Sequence, residues 1–267
     1  MNRCALILLA ACSSGAPRSA EDHAGSAAPP KTVAPPAPVG PYRAEAGAFA
    51  KGDVQVRVEW PNVPIAARAS PGRTACGTAS AAAVAPTTTW GIPDAFVAID
   101  VDRGKPLAEP TARVVLADCA LSPRAIVAGA SLVVASEVDQ PASLAIARAG
   151  SARPLAPADG SGALPVQLSI DLPIAGHAVA VPLAADAIYT LAGSDVQPAW
   201  IIAASQPYVA VTEASGQVVV RDVPVGTFQV EALLPARAGQ PARLGHASVT
   251  VAANALADVT VELAPPP

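Results

Sequence analysis

The side chains of this chain that could do chemistry are few and scattered. The cysteines are Cys4, Cys12, Cys76 and Cys119, and the histidines are His23, His177 and His246. His177 and His246 each follow a glycine at the entrance to an apolar run, where an imidazole reads as a solvated strand-end group. If the two met in space they would form a modest metal site, since neutral imidazole is a common ligand. Serine, histidine and aspartate for a catalytic triad are all present, but no Gly-x-Ser-x-Gly elbow opens a helix, so nucleophilic catalysis is not expected. Asp159-Gly160-Ser161-Gly162 has the composition of a calcium loop without its later glutamate or further carboxylates, and reads as a solvated turn. Asp100, Asp102 and Glu109 flank an apolar run; a charged strand end is the preferred reading over a paired-carboxylate hydrolase site. No catalytic residue, cofactor or metal ligand is therefore assigned, and the chain is not expected to be an enzyme.

The cysteines divide by position. Residues 1–12 read MNRCALILLAAC: a positive Arg3, then an apolar run too short for a membrane-spanning helix, which needs about 20 residues. That is the layout of a signal peptide. Its end, Leu9-Ala10-Ala11-Cys12, resembles the bacterial lipobox, in which a transferase attaches diacylglycerol to the cysteine thiol and a peptidase cleaves after small residues; an ordinary signal peptide is the alternative. On the lipobox reading residues 1–11 are removed, Cys12 carries the lipid, and the acyl chains hold the protein to a membrane. Ser13 rather than aspartate follows, so the outer membrane is the expected destination, on either its periplasmic or its outer face. Cys76 and Cys119 then remain as an even pair in an oxidising compartment and are expected to form a disulfide worth about 4 kcal/mol in chain entropy. Two buried thiols that never meet are the alternative.

Composition narrows the class further. The chain is 52% hydrophobic and 14% charged, against about 25% charge in an average soluble protein. Net charge is −4, without a basic cluster, and aromatics make up 3%, so nucleic-acid binding is not expected. The 29 prolines and 19 glycines among abundant alanine and valine favour short strands and turns over long helices. Residues 12–50 are rich in Pro, Ala, Gly and Ser and read as a semi-extended tether in which His23 is solvated.

From residue 54 the pattern becomes alternating. Val54, Val56 and Val58 interleave with Gln55, Arg57 and Glu59, predicting a strand with one wet face. Further strands are predicted at 95–101, 112–116, 131–135, 144–147, 166–170, 178–183, 188–191, 200–204, 217–220, 227–234, 247–251 and 258–263. The runs at 217–220 and 227–234 look like a hairpin joined through Asp222-Val223-Pro224-Val225-Gly226. Residues 79–85 read as loop. The whole is expected to be all-β, a sandwich or a pair of them.

Several segments, in order, resemble those of exported cupredoxin-like proteins that carry a carboxypeptidase-regulatory-like, transthyretin-type β module, a group labelled methylamine-utilisation-like or plastocyanin-like. They are VRVEWPNVP and Cys76-Gly77; AFVAIDV; Asp118-Cys119-Ala120-Leu121-Ser122-Pro123-Arg124 against a Cys-x-x-x-Pro-His segment; Gly129-Ala130-Ser131-Leu132; Ser194-Asp195-Val196-Gln197-Pro198-Ala199-Trp200 against a Cys-Asp-Val-His-Pro-Trp copper loop; and PYVAVTEASGQ with VPVGTF near the end. The resemblance implies a cupredoxin-like β-sandwich over 51–205 and a smaller module over 206–264, with the first strand at 54–58 belonging to either. It also implies a lost copper site. Ser194 stands at the ligand cysteine and Gln197 at the loop histidine, the Glu137-Val138-Asp139-Gln140 stretch lacks the other histidine, and Met1 is the only methionine. The expected function is that of a non-catalytic envelope lipoprotein binding a protein, a glycan or another surface polymer; the alternative is a copper or electron-transfer protein with non-standard ligands.

Overall fold

The computed structural model describes residues 41–45, 47–84, 91–107, 112–157, 166–237 and 239–264. The expected signal peptide, Cys12, His23 and nearly all of the tether up to residue 40, as well as Glu109 and the 159–162 segment, lie outside the described residues.

The architecture is all-β, with a single short helix, Ile65–Arg68, among the described residues. Alternation produces it. In Lys51–Glu59, Gly52, Val54, Val56 and Val58 are buried and the intervening polar residues are not. Burying each valine stabilises the fold by about 1.5–3 kcal/mol relative to exposure. Phe96–Ile99 instead is buried at every position, as expected of a strand covered on both faces.

The strands sort into two sandwiches. One, here the terminal sandwich, uses strands from both ends of the described chain. Its three-stranded sheet runs Gln217–Pro224, Lys51–Glu59, Leu256–Glu262, and its four-stranded sheet runs Val209–Val211, Phe96–Ile99, Gly226–Leu234, Arg243–Val251. Between them lies a core of Val54, Val56, Val58, Trp60, Val97, Ile99, Tyr208, Val230 and Val261. The other, the inserted sandwich, is a ten-stranded curled sheet built from residues 112–203, closed over Val114, Leu116, Leu132, Leu144, Ile170, Tyr189, Leu191 and Ile201. A third apolar cluster joins the two: Phe96, Ala98 and Leu233 of the terminal sandwich pack against Ala125, Ala149, Ala152, Leu155, Ile188 and Ile202 of the inserted one. The described residues accordingly belong to one compact unit.

The division of the sheets differs from the 51–205 and 206–264 boundaries expected from sequence. Lys51–Glu59 pairs in parallel with Leu256–Glu262 and antiparallel with Gln217–Pro224, and Phe96–Ile99 pairs with Gly226–Leu234. Both early strands thus complete the C-terminal module, because Val54, Val56, Val58, Val97 and Ile99 find their apolar partners there. The segment joining Gln217–Pro224 to Gly226–Leu234 is not a hairpin turn either. Pro224 is still paired with Lys51, and after Val225 the chain switches sheets, so Gly226 begins a strand paired with Arg243–Val251. Pro and Gly mark a bend in both cases, and local sequence does not say which sheet receives the next strand.

One left-handed turn has a clear steric cause. Gly216 (φ +76°) closes the turn after Thr212, and a Cβ there would lie 2.3 Å from the backbone nitrogen of Ile92. Thr212, buried beside it, donates to the Ile92 carbonyl (2.7 Å) and accepts from the Ala95 N–H (2.9 Å).

Candidate functional site

Two hairpin tips of the inserted sandwich make the floor of the site. Ala112–Ala117 and Ala120–Ser122 are joined by Asp118-Cys119, both at positive φ (48° and 58°), the geometry of a tight type I′ turn. Ala187–Gly193 and Val196–Ala203 are joined by Ser194-Asp195, with Asp195 at φ 62°. The tips lie side by side, and the Gln197 N–H donates to the Cys119 carbonyl at 2.9 Å.

The loop that follows the Ile65–Arg68 helix crosses these tips and is fastened at several points. Cys76 is joined to Cys119, their Cα atoms 5.8 Å apart. The Gln197 side-chain oxygen accepts the Ala81 N–H at 2.8 Å, and Arg124 Nη2 donates to the Ala82 carbonyl at 3.0 Å.

The terminal sandwich adds charge. Arg237 comes from the turn between Gly226–Leu234 and Arg243–Val251, a turn closed by reciprocal hydrogen bonds with Gln240. Its Nη1 lies 3.2 Å from Asp94 Oδ2, and its Nη2 reaches the Asp94 and Arg124 carbonyls at 3.4 and 3.5 Å. Arg124 Nη1 approaches the same Asp94 oxygen at 3.8 Å. One carboxylate therefore serves two guanidiniums. The Arg237 side chain is 5% exposed, and its Nε has no acceptor among the described residues. An unmet buried donor costs about 1–3 kcal/mol. Burial first, then the charge of Arg124, pushes Arg237 down to about 10, and burial also pushes Arg124 down; both remain cations at neutral pH.

These elements enclose a cleft of about 310 Å3, at the small end of ligand-site volumes. Its apolar walls are Pro71, Ala75, Ala81, Val196 and Pro198; its polar groups are Arg73, Thr74, Ser80, Arg124, Asp195, Gln197 and Arg237. A larger hollow of about 580 Å3 lies against Ala125–Ala128 and Val209–Val211. Among the described residues its charged side chain is Lys105, which donates to the Arg221 carbonyl at 2.6 Å.

Of the residues in the segments quoted from sequence, Arg124, Asp195 and Gln197 line the cleft, Cys119 lies next to it with its carbonyl on the Gln197 N–H, and Ser194 sits exposed on its hairpin tip. The two histidines do not share a sheet. His177 is exposed in the turn before Ala178–Pro182. His246 is not at a strand entrance, as its neighbouring glycine implies, but within Arg243–Val251 opposite Glu231. Asp100 is engaged with Arg153 at 3.4 Å, and burial pushes its carboxyl above the usual range, with Arg153 opposing. Copper chemistry does not fit the cleft. Arg124 is a cation, the Gln197 oxygen is committed to Ala81, and Ser194 offers a hydroxyl in place of a thiolate. Among the described residues, no group of three or more His, Cys, Asp or Glu side chains could hold a metal ion. Nor is any helix among them long and apolar enough to cross a membrane.

Comparison of the chain with protein-family models, with curated proteins and with solved structures gives no match. Arg237 and Asp94 went unmarked in the sequence. Neither belongs to a motif, and the strand pairing that carries them to the cleft is long-range.

Proposed function

We propose that this chain is a non-catalytic envelope lipoprotein, held to a membrane through Cys12, whose cleft binds a ligand on a cupredoxin-like scaffold that has lost its copper. One observation carries the reading. Two segments that resemble the family's, 118–124 and the copper-loop match 194–200, meet at one cleft, and what they bring there is Arg124, Asp195 and Gln197; the Glu137–Gln140 stretch is not part of its lining. These are groups for hydrogen bonding and charge recognition, and they replace the soft sulfur and neutral imidazole that a copper centre requires. The partner class consistent with an anchored position is an envelope protein, glycan or surface polymer.

The test is a copper titration of the full chain in detergent, followed by absorption and by metal analysis after dialysis. The expected result is no retained copper and no charge-transfer band; a tightly held stoichiometric copper would overturn the reading. The anchor is tested separately. Cys12→Ala moves the protein from the membrane to the soluble fraction on fractionation, and unchanged membrane attachment with acylation intact would refute it.

A further inference from the structure

We propose that the cleft between the two sandwiches binds a small monocarboxylate with an apolar body, its carboxylate seated on the Arg124–Arg237 pair. This names the ligand chemistry of the binding role proposed above and rests on that role.

Charge decides the class. Arg124 and Arg237 share a single carboxylate, Asp94, and are left with one positive charge between them. The other two charged residues of the lining, Arg73 and Asp195, contribute one charge of each sign. A monoanion restores neutrality, whereas a phosphate dianion overshoots it beside the Asp195 carboxylate. Geometry agrees. A guanidinium presents planar, paired donors that match a carboxylate, and Arg124 and the nine-tenths buried Arg237 both line the cleft. Pro71, Ala75, Ala81, Val196 and Pro198 form an apolar wall, and of the uncharged polar groups that share the cleft Thr74 is bonded to Thr78 and the Gln197 oxygen to Ala81. An acid with a short hydrocarbon body fits both parts.

Asp94 supplies a test that a purely structural ion cluster would fail. Asp94 is the carboxylate that both guanidiniums already face, so its charge competes with that of a ligand carboxylate. Asp94 has φ +57°, a conformation that asparagine tolerates, so Asp94→Asn removes the charge while keeping the turn. Hexanoate, acetate and phosphate are titrated calorimetrically against the full chain in detergent. Hexanoate is expected to bind saturably and more tightly than acetate, and phosphate not at all. Arg237→Met is expected to weaken hexanoate roughly tenfold or more, the usual effect of removing one partner of a buried charged hydrogen bond. Asp94→Asn is expected to tighten it several-fold. Circular dichroism confirms that each variant is folded, and Arg237→Lys, which keeps the charge but not the fork, is expected to fall between wild type and Arg237→Met. No saturable hexanoate binding, equal binding by Arg237→Met, no tightening in Asp94→Asn, or phosphate outcompeting the acids would each overturn the inference. The copper titration on the same preparation separates the failures. Retained copper removes the proposed function itself; neither copper nor acid bound removes only the ligand class.

Discussion

Glu231 ties the two sandwiches together through a single oxygen. Its Oε2 accepts the N–H of Leu155, 2.8 Å away in the inserted sandwich. Burial pushes its carboxyl above the ordinary glutamate range and the charge of Asp100 adds to that, while the Leu155 N–H and His246 pull it back. A folded-state value above the unfolded one means that the folded protein holds the proton more tightly. The stabilisation this brings is complete below the ordinary glutamate range and is lost as pH rises through the raised value. Glu231→Gln keeps an acceptor for Leu155 and does not titrate. Its melting temperature relative to wild type is therefore expected to climb as pH rises from 4 through that interval and then level off; a difference independent of pH would refute this account. At the same scale, the site was partly legible. Gln197 stood out as a departure from a copper pattern and Arg124 only as part of a matching segment, but their present tasks did not, because fastening Ala81 and Ala82 depends on a loop whose path no local pattern specifies. Arg237 carried no signal, since an arginine between alanines reads as an ordinary loop cation.

The loop after the Ile65–Arg68 helix has few apolar anchors of its own. Ala82, Ala83 and Val84 are buried at its end, but Pro71 to Cys76 are largely exposed. Its position rests on the Cys76–Cys119 link, on Gln197 and on Arg124. Gln197→Ala is expected to cost this loop about 1–3 kcal/mol of local stability, leaving the Ala81 N–H without its acceptor. Hydrogen exchange or limited proteolysis should show faster opening confined to residues 70–84, more so after the disulfide is reduced. Equal acceleration across the strands of the inserted sandwich would mean that Gln197 supports the fold as a whole. The strands themselves were the most legible elements, because each alternating run of the sequence overlaps a strand. Those that escaped notice, Arg43–Ala44, Arg103–Gly104, Ala120–Ser122, Ala125–Ala128, Leu155–Pro157 and Val209–Val211, are two to four residues long, too short for alternation to register, and are held by their neighbours' hydrogen bonds.

Across the whole molecule, the buried interface between the sandwiches is made mostly of alanine, which allows the sheets to approach closely, with Phe96, Leu155, Leu233, Ile188 and Ile202 as the larger groups. Phe96 is fully buried there. The wild-type protein is expected to unfold in urea in one transition, and Phe96→Ala to lose about 3–5 kcal/mol and separate the transition into two. Two transitions already present in the wild type would show that the sandwiches are thermodynamically independent. The all-β class was legible in the sequence, but the nesting of one sandwich inside the other was not, since sheet membership is settled by pairings between distant segments. That nesting also imposes an order in time. Lys51–Glu59 lies between Gln217–Pro224 and Leu256–Glu262, and the hydrogen-bonded residues Gln55 and Gln217 are 162 positions apart. Lys51–Glu59 therefore waits for one edge partner until Gln217–Pro224 has been made and for the other until Leu256–Glu262 has followed. The inserted sandwich, whose pairings all fall within 112–203, has no such wait and can assemble first. On the export reading, this delay keeps the terminal sandwich threadable through a translocation channel until Leu256–Glu262 has been made.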